Sequence, residues 1–250
     1  MTAYPKAHEL LAGKTVVVTA AAGTGIGFAT AKRCVEEGAA VLLSDAHERR
    51  LVEAAGSLGC PYAVCDVTDQ ASVDALFSQA VSQLGSVDVL VNNAGLGGTA
   101  HIVEMTDEQW FKVMDVTLTG TFRCTRAGLR LMLPAGRGVI VNNASVLGWR
   151  AQAGQAHYGA AKAGVMAVTR AAAIEAAPHG VRVNAVAPSL AMHANLSKVM
   201  SEAALEELAR REAFGRSAEP FEVANVIVFL ASDYSSYMTG EVVSVSSQHP

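Results

Sequence analysis

Short apolar runs rich in β-branched residues alternate along this chain with longer, alanine-rich stretches that have helical spacing. The runs lie at 15–19, 39–45, 62–67, 87–93, 138–143, 181–188 and 241–246. Strands that are apolar throughout and separated by helices form a parallel sheet, covered on both faces and wound by right-handed crossovers. The pattern therefore predicts the α/β class with one doubly wound parallel sheet.

The predicted sheet extends over a single domain. The chain has 250 residues, a length that fits one large α/β domain, and no Pro/Gly/Ser-rich linker or shift of composition divides it. We therefore expect one domain over 1–250. The segment at about 190–219 follows a strand but carries few β-branched residues, so we expect it to form a helical substrate lid over the carboxyl edge of the sheet.

Charge and composition favour a small-molecule partner. Nineteen basic and 23 acidic side chains give a net charge of −4 without a long run of either sign, which argues against a nucleic-acid or anionic-membrane surface. The first residues lack the apolar core of a signal peptide, and no stretch is apolar enough to span a membrane. We therefore expect a cytoplasmic protein. The four cysteines and seven histidines lack metal-binding spacing, so no metal site is predicted.

A glycine-rich turn follows the first predicted strand. It reads Thr19-Ala-Ala-Ala-Gly23-Thr-Gly25-Ile26-Gly27 and leads into a helical pattern. Missing Cβ atoms let the backbone approach a pyrophosphate, and the free amides at a helix N-terminus favour its negative charge. Three glycines can also make nothing more than a tight turn. The position between a strand and a helix favours dinucleotide binding.

Asp45 ends the second predicted strand, 18 positions after Gly27. A carboxylate at about this separation binds the hydroxyls of the adenosine ribose and repels a 2′-phosphate, so NAD is favoured. His47, Arg49 and Arg50 follow directly and could bind such a phosphate, or they could be the solvated first turn of the next helix. NADP therefore stays open.

A second signal is the pair Tyr158 and Lys162, preceded by Ser145 at the end of a predicted strand. Residues four apart share a helix face, so the lysine ammonium can stabilise a phenolate. Together with an oxidised nicotinamide it would bring the tyrosine pKa down into working range. Such a pair alone is usually structural. Its coincidence with the glycine turn and with the Asn-Asn-Ala-Gly turn at 92–95 favours an active site.

These motifs together resemble the short-chain dehydrogenase/reductase family over nearly the whole chain. The resemblance implies a Rossmann fold and hydride transfer at nicotinamide C4. It gives Tyr158 the role of acid/base, Ser145 that of hydrogen-bonding the substrate oxygen, and Lys162 those of holding the ribose and lowering the tyrosine pKa. The cofactor residues that it implies are Thr19, Gly23, Gly25, Ile26, Gly27, Asp45, Asp66, Val67, Asn93, Ala94, Gly95, Tyr158, Lys162 and Pro188.

The chain departs from the family pattern at three places. Thr117 stands where the family usually has the asparagine of its catalytic tetrad, and we expect its hydroxyl or main-chain carbonyl to hold the relay water. Ser189 replaces the glycine after Pro188, and His193 stands where a threonine often contacts the carboxamide. The cofactor loop also has Ala20 in place of a glycine and is one residue longer. We still expect cofactor binding and activity.

Three stretches resemble the actinobacterial branch of the family that degrades the last two steroid rings. They read VVTAAAGTGIG, VNNASVLGWRAQ and ASDYSSYMTGEVVSVSSQ. The resemblance implies that the substrate is an acyl-CoA with a ring hydroxyl on a hydrindane. Candidate contacts are an apolar wall and basic partners for CoA phosphates, although each of these side chains could instead be ordinary core or surface. They are Trp149, Met192 and Leu196 for the wall, His193 at its edge, and Arg150, Lys198 or Arg216 for the phosphates.

The remaining candidates concern two histidines and a helix. His157 adjoins Tyr158 but points elsewhere on a helix, so a pocket or interface role is expected. His101 could face substrate or solvent. Small residues around most of the alanine-rich helix at 155–177 indicate burial on more than one side, and the family commonly forms tetramers through the corresponding helices. We therefore expect a homotetramer.

Two other functions remain open. One is a 3-oxoacyl thioester reductase, acting on an acyl-carrier protein or CoA. The other is a non-catalytic NAD(P)-binding protein, which the departures at Thr117 and Ser189 favour and the intact Ser145, Tyr158 and Lys162 oppose.

Overall fold

Seven strands form one parallel sheet in the computed structural model, which describes residues 4–191 and 202–247 and omits the side chains of 202–204. The strand order is β3-β2-β1-β4-β5-β6-β7, and every neighbouring pair is parallel. The predicted doubly wound parallel sheet is therefore confirmed. The strands are β1 Thr15–Val18, β2 Ala40–Asp45, β3 Tyr62–Val64, β4 Val89–Asn92, β5 Gly138–Asn143, β6 Val181–Pro188 and β7 Val242–Val245.

Helices cover both faces of the sheet. α1, α2 and α8 pack on one face, and α3, α5 and α6 pack on the other. Val16 and Val18 point into the first layer whereas Val17 points into the second, so the whole of β1 is apolar. The helices are α1 Ile26–Glu36, α2 Glu48–Leu58, α3 Gln70–Leu84, α4 Asp107–Met114, α5 Gly120–Ala135, α6 Ala156–Ala176, α7 Glu202–Arg211 and α8 Pro220–Ala231.

The strand order reverses between β1 and β4, and this reversal places the site. The chain leaves β1 in one direction towards β2 and β3, and resumes on the other side of β1 at β4. Connections after these two strands diverge, which opens a crevice at the carboxyl edge of the sheet. A crevice of about 1460 Å³ lies there.

One strand ends earlier than the sequence pattern predicts. The run at 62–67 forms a strand only over Tyr62–Val64. The Asp66 carboxylate accepts hydrogen bonds from the amide and the hydroxyl of Thr68, at 2.9 and 2.7 Å, and this local turn replaces strand pairing. Asp66 and Val67 therefore lie on a loop at the rim of the crevice.

None of the helices within residues 4–191 and 202–247 is long and apolar enough to cross a membrane.

Candidate active site

The loop between β1 and α1 is tied to the end of β4. The Thr19 hydroxyl accepts hydrogen bonds from the amides of Asn93 and Ala94, at 3.0 and 3.2 Å. Gly25 is the N-cap of α1 and has no side chain to bond the first-turn amides, and the first turn carries no acidic residue. The N-terminus of α1 therefore keeps its free amides and positive dipole for an anionic group.

The residue that replaces a glycine of this loop, Ala20, has a structural consequence. Ala20 has a φ of 50°, an unusual conformation for a residue with a Cβ. Its carbonyl accepts a hydrogen bond from Asn93 Nδ2 at 3.1 Å. A Cβ at Gly27 would lie 2.3 Å from that carbonyl oxygen. Gly27 is therefore required by the packing of the loop on α1, and its role in the approach of a pyrophosphate stays a prediction.

Asp45 is held at the end of β2 by two backbone amides. Its carboxylate accepts from Ala22 N at 3.1 Å and from His47 N at 2.9 Å, and the residue is buried. His47 and Arg50 line the same part of the crevice. Arg49 does not line the crevice and pairs with Glu53 at 3.2 Å.

Ser145, Tyr158 and Lys162 line one part of the crevice. Ser145 follows β5, and its hydroxyl accepts from Leu147 N at 3.2 Å. Tyr158 and Lys162 share a face of α6, and Lys162 Nζ lies 5.6 Å from the centroid of the tyrosine ring. The Lys162 ammonium donates to the main-chain oxygen of Asn143, the last residue of β5. The strand and the helix thus bring the three side chains together.

Burial shifts the pKa values of both Tyr158 and Lys162. Burial raises the pKa of the Tyr158 phenol, and its hydrogen bond with Ser145 lowers it without reversing the shift. The predicted lowering of this pKa requires a bound, oxidised nicotinamide beside Lys162, so it stays a prediction. Burial also lowers the pKa of the Lys162 ammonium to about 8. At neutral pH the site holds a protonated phenol beside a charged ammonium.

Comparison with known proteins identifies the family. A family model described as enoyl-(acyl carrier protein) reductase matches residues 20–247. The crystal structure of a short chain dehydrogenase from Mycobacterium smegmatis is 56% identical, with a TM-score of 0.89 over 100% of this chain and 98% of that chain. This chain belongs to the short-chain dehydrogenase/reductase family. It is therefore an oxidoreductase of the kind that binds NAD(P).

Two curated relatives in the family differ in the substrate that their names give. The (5R,7aS)-5-hydroxy-7a-methyl-1-oxo-2,3,5,6,7,7a-hexahydro-1H-indene-carboxyl-CoA reductase of Mycobacterium tuberculosis is 62% identical, over 97% of this chain and 95% of the relative. The 3-oxoacyl-(acyl-carrier-protein) reductase of Thermotoga maritima is 41% identical, over 94% of this chain and 97% of the relative. The resemblance to the steroid-ring branch of the family is confirmed.

Most of the predicted cofactor residues line the crevice, but Gly23 does not. Gly23 has a φ of 104° and serves the turn itself. The predicted residues at the crevice wall are Thr19, Gly25, Ile26, Gly27, Asp45, Asp66, Val67, Asn93, Ala94, Gly95, Tyr158, Lys162 and Pro188.

Thr117, which stands in place of the family asparagine, does not line the crevice. It is fully buried in a π-helical turn, Asp115–Thr119, between α4 and α5. Its hydroxyl accepts from Leu96 N at 2.9 Å and donates to Leu96 O at 3.1 Å, so that hydroxyl has no proton left to relay. Its carbonyl accepts from Thr121 Oγ1 at 2.8 Å. The binding of a relay water by the hydroxyl or the carbonyl of Thr117 stays a prediction.

The predicted substrate contacts lie in several different places. Trp149 is 52% exposed, which excludes the core, and it lines a neighbouring groove of about 710 Å³ instead of the crevice. Arg150 lines both, whereas Arg216 lines neither and pairs with Glu222 at 2.7 Å. The other predicted contacts lie outside the described residues. They are Met192, His193, Leu196 and Lys198.

The two histidines have separate surroundings. His157 is buried, and its Nδ1 accepts from Tyr158 N at 2.9 Å. It does not line the crevice, and a Cβ on Gly98 would lie 3.1 Å from its Nε2. It packs under the loop after β4, and the expected pocket or interface role stays a prediction. His101 is exposed and lines the groove beside Trp149.

Two residues at the crevice were missed by the sequence reasoning. Asn143 lies beside Lys162, and an amide at the end of an otherwise apolar strand was the signal that could have found it. Glu212, just after α7, is buried and accepts from Ser247 Oγ at 2.9 Å. No feature of the sequence around Glu212 marks it.

Proposed function

We propose that this chain interconverts a ring hydroxyl and a ketone on a hydrindane-type acyl-CoA, with NAD as the favoured dinucleotide. The observation that carries the chemistry is the meeting of Ser145, Tyr158 and Lys162 in one crevice with the free N-terminus of α1. The substrate class rests on the 62% identity to the indene-carboxyl-CoA reductase. The crevice volume of about 1460 Å³ is ample for a dinucleotide together with a bicyclic group.

The residues present fit an NAD(P) dinucleotide. The uncapped amides of α1 suit a pyrophosphate, and the Asp45 carboxylate suits ribose hydroxyls. Both Asp45 oxygens are fixed by backbone amides, so the negative charge stays at that end and disfavours a 2′-phosphate. His47 and Arg50 are close enough to the same region for NADP to be tested beside NAD.

When it is bound, the nicotinamide ring supplies or accepts the hydride. The residues of this chain donate or accept the proton. In reduction, the Tyr158 phenol donates its proton to the substrate oxygen, while the Ser145 hydroxyl donates a hydrogen bond to that oxygen. The raised pKa keeps the phenol protonated at neutral pH, and the Lys162 ammonium then stabilises the phenolate that proton donation leaves.

A thioester reductase acting on linear 3-oxoacyl groups is the second candidate function. The 41% identity to the Thermotoga maritima enzyme favours it, because the catalytic residues would be the same for both substrates. The higher identity to the indene-carboxyl-CoA reductase makes it the weaker candidate. A non-catalytic binder is weaker again, because Ser145, Tyr158 and Lys162 are all present and adjacent.

Steady-state kinetics separate these functions. Purified enzyme is assayed by dinucleotide absorbance with hydrindane-type and linear 3-oxoacyl-CoA substrates, each with NADH and with NADPH. We expect kcat/KM for the hydrindane substrate to exceed that for the linear one by about tenfold or more, with NADH preferred. Faster turnover of the linear substrate would establish the second candidate. Dinucleotide binding without any turnover would establish the binder.

A further inference from the structure

Asn143 lies where the catalytic and the cofactor parts of the crevice meet. It is the last residue of β5, and it pairs with Val186 of β6. Its main-chain oxygen accepts the Lys162 ammonium. Among the described residues Lys162 has no other hydrogen-bond acceptor, so the position of its charge depends on where β5 ends.

The side chain of Asn143 continues in the opposite direction, towards the cofactor loop. Asn143 Nδ2 donates to Asn93 Oδ1 at 2.9 Å, and Asn93 Nδ2 donates to Ala20 O at 3.1 Å. A carbonyl can only accept, so Ala20 fixes the orientation of the Asn93 amide, and Asn93 in turn fixes that of Asn143. A directed chain of hydrogen bonds therefore runs from the residue that holds Lys162 to the left-handed residue of the loop.

The same orientation leaves Asn143 Oδ1 buried without a hydrogen-bond partner. An unmet buried acceptor destabilises a fold, and an aliphatic residue at this strand position would avoid that cost. The hydrogen bonds donated by the Asn143 and Asn93 amides are thus made although Asn143 Oδ1 is left unpaired. They join two parts of the site instead of serving the packing of β5.

We propose that Asn143 is a positioning residue that couples the cofactor loop to the Lys162 ammonium. Its amide holds Asn93 and, through it, Ala20, while its carbonyl holds Lys162. Displacement of the loop therefore displaces Lys162, and a loop seated for the dinucleotide sets the charge that acts on Tyr158. The inference rests on the proposed roles of this loop and of Lys162.

The test replaces Asn143 with valine, which suits a strand, keeps the main-chain carbonyl and removes only the amide. The matched control is Asn142→Val, one residue earlier in β5. The Asn142 amide also makes two buried hydrogen bonds, to Asn92 and Thr169 at 2.9 Å each, but it contacts neither Lys162 nor the cofactor loop. Asn143→Ser truncates the same amide and serves if the valine variant does not fold.

Three properties are measured for each variant: the melting temperature, the Kd for NAD and NADP by titration calorimetry without substrate, and the pH profile of kcat/KM. We expect Asn143→Val and Asn143→Ser to weaken dinucleotide binding by roughly 3- to 10-fold. We also expect both to move the kinetic pKa assigned to Tyr158 upward, because the ammonium is less well placed. Asn142→Val lowers the melting temperature and leaves the Kd within about twofold of wild type.

A folded Asn143 variant with wild-type Kd and pH profile overturns the inference. So does an equal loss of binding in Asn142→Val, because that result assigns the effect to strand stability. If the wild-type protein binds neither dinucleotide, it is the proposed function that fails. If the wild type binds and the Asn143 variants bind equally well, only the coupling fails.

Discussion

The buried place of Lys162, which the proposed catalysis requires, reduces the stability of the folded state. Its side chain is buried, and burial lowers the pKa of its ammonium from 10.5 to about 8. Between these two pH values the unfolded chain binds the proton that the folded chain has lost. Stability therefore rises with pH across this window, and below about pH 8 the folded protein carries the full cost of a buried charge.

We accordingly expect Lys162→Met to abolish most activity and yet to stabilise the protein at pH 7. The gain should be roughly 1–3 kcal/mol, reduced by the unmet carbonyl of Asn143. At pH 9.5 the gain should shrink, because wild-type Lys162 is then largely neutral when folded. Urea unfolding at the two pH values measures both numbers. A variant less stable than wild type at pH 7 would contradict the account.

Thr117 joins two segments of the chain through one short side chain. Its single hydroxyl bonds both the amide and the carbonyl of Leu96 and so joins the π-helical turn to the loop after β4. Thr117→Val keeps the shape of the side chain but leaves both Leu96 groups unpaired in a buried place. We expect a loss of about 1–3 kcal/mol of stability.

Activity should fall together with stability in Thr117→Val, because the turn and the loop both border the crevice. Thr117→Ser retains the hydroxyl and is the matched control, expected to keep most activity. Denaturant unfolding and kcat for the three proteins make the comparison. Wild-type stability in the valine variant would show that the two hydrogen bonds are unimportant.

At the scale of elements, the connection from β1 to α1 is packed so closely that it leaves no room for a Cβ at Gly27. A Cβ on Gly27 would lie 2.3 Å from Ala20 O and 2.5 Å from Asn93 Nδ2. We therefore expect Gly27→Ala to displace the loop and to weaken dinucleotide binding by about tenfold or more. Gly56→Ala is the control, since a Cβ within α2 at that position meets nothing within 4 Å. It should stabilise the helix by about 0.5–1 kcal/mol without changing binding.

Calorimetric titration of both alanine variants with NAD measures the Kd and so tests this close packing. Equal dinucleotide affinity of Gly27→Ala and Gly56→Ala would mean that the loop tolerates the Cβ.

The sequence predicted the strands of the sheet better than it predicted the hydrogen bonds within the site. Apolar runs such as β1 can be predicted as strands because every residue faces one of two helix layers. The proximity of Tyr158 and Lys162 can be predicted because residues four apart share a face of one helix. The Asn143–Asn93–Ala20 hydrogen bonds join three distant segments, and no local pattern encodes their meeting. The early end of β3 depends on the Asp66 turn, which outweighs the strand preference of the run.

Contacts made only by tertiary packing were also hard to predict. Trp149 combines an apolar ring with a place near Ser145 in the sequence, and both suggest a substrate wall. In the fold the ring follows the short 3₁₀ helix Val146–Gly148 and lines the groove that adjoins the crevice, so its part in a substrate wall stays a prediction. Burial raises the pKa of the Tyr158 phenol, and the sequence shows the neighbouring charge but not the degree of burial.

At the scale of the whole molecule, a row of exposed apolar residues runs along the outward face of α6 beside the charged Arg170 and Glu175. Ala160, Ala167 and Ala171 are exposed on it, and Ile174 is 78% exposed. A face of small apolar residues allows two helices to approach closely, in agreement with the homotetramer that we expect from the family. Ile174→Glu should then reduce the size of the assembly, because it places a charge in an apolar interface.

Light scattering coupled to gel filtration at micromolar concentration measures the assembly directly. Val52→Glu, at a half-exposed position on α2, is the control and should leave the mass unchanged. A monomeric wild-type protein, or an Ile174→Glu variant of unchanged mass, would contradict this arrangement.

The most direct test of the whole account is the Tyr158→Phe variant, assayed for turnover and for dinucleotide affinity in parallel. The change removes one oxygen from a helix residue and leaves Lys162, Asn143 and the cofactor loop in place. We expect kcat to fall by about 10³-fold, while the Kd for NAD stays within about twofold of wild type. Wild-type turnover in this variant would contradict the assignment of the acid/base, and with it the proposed chemistry.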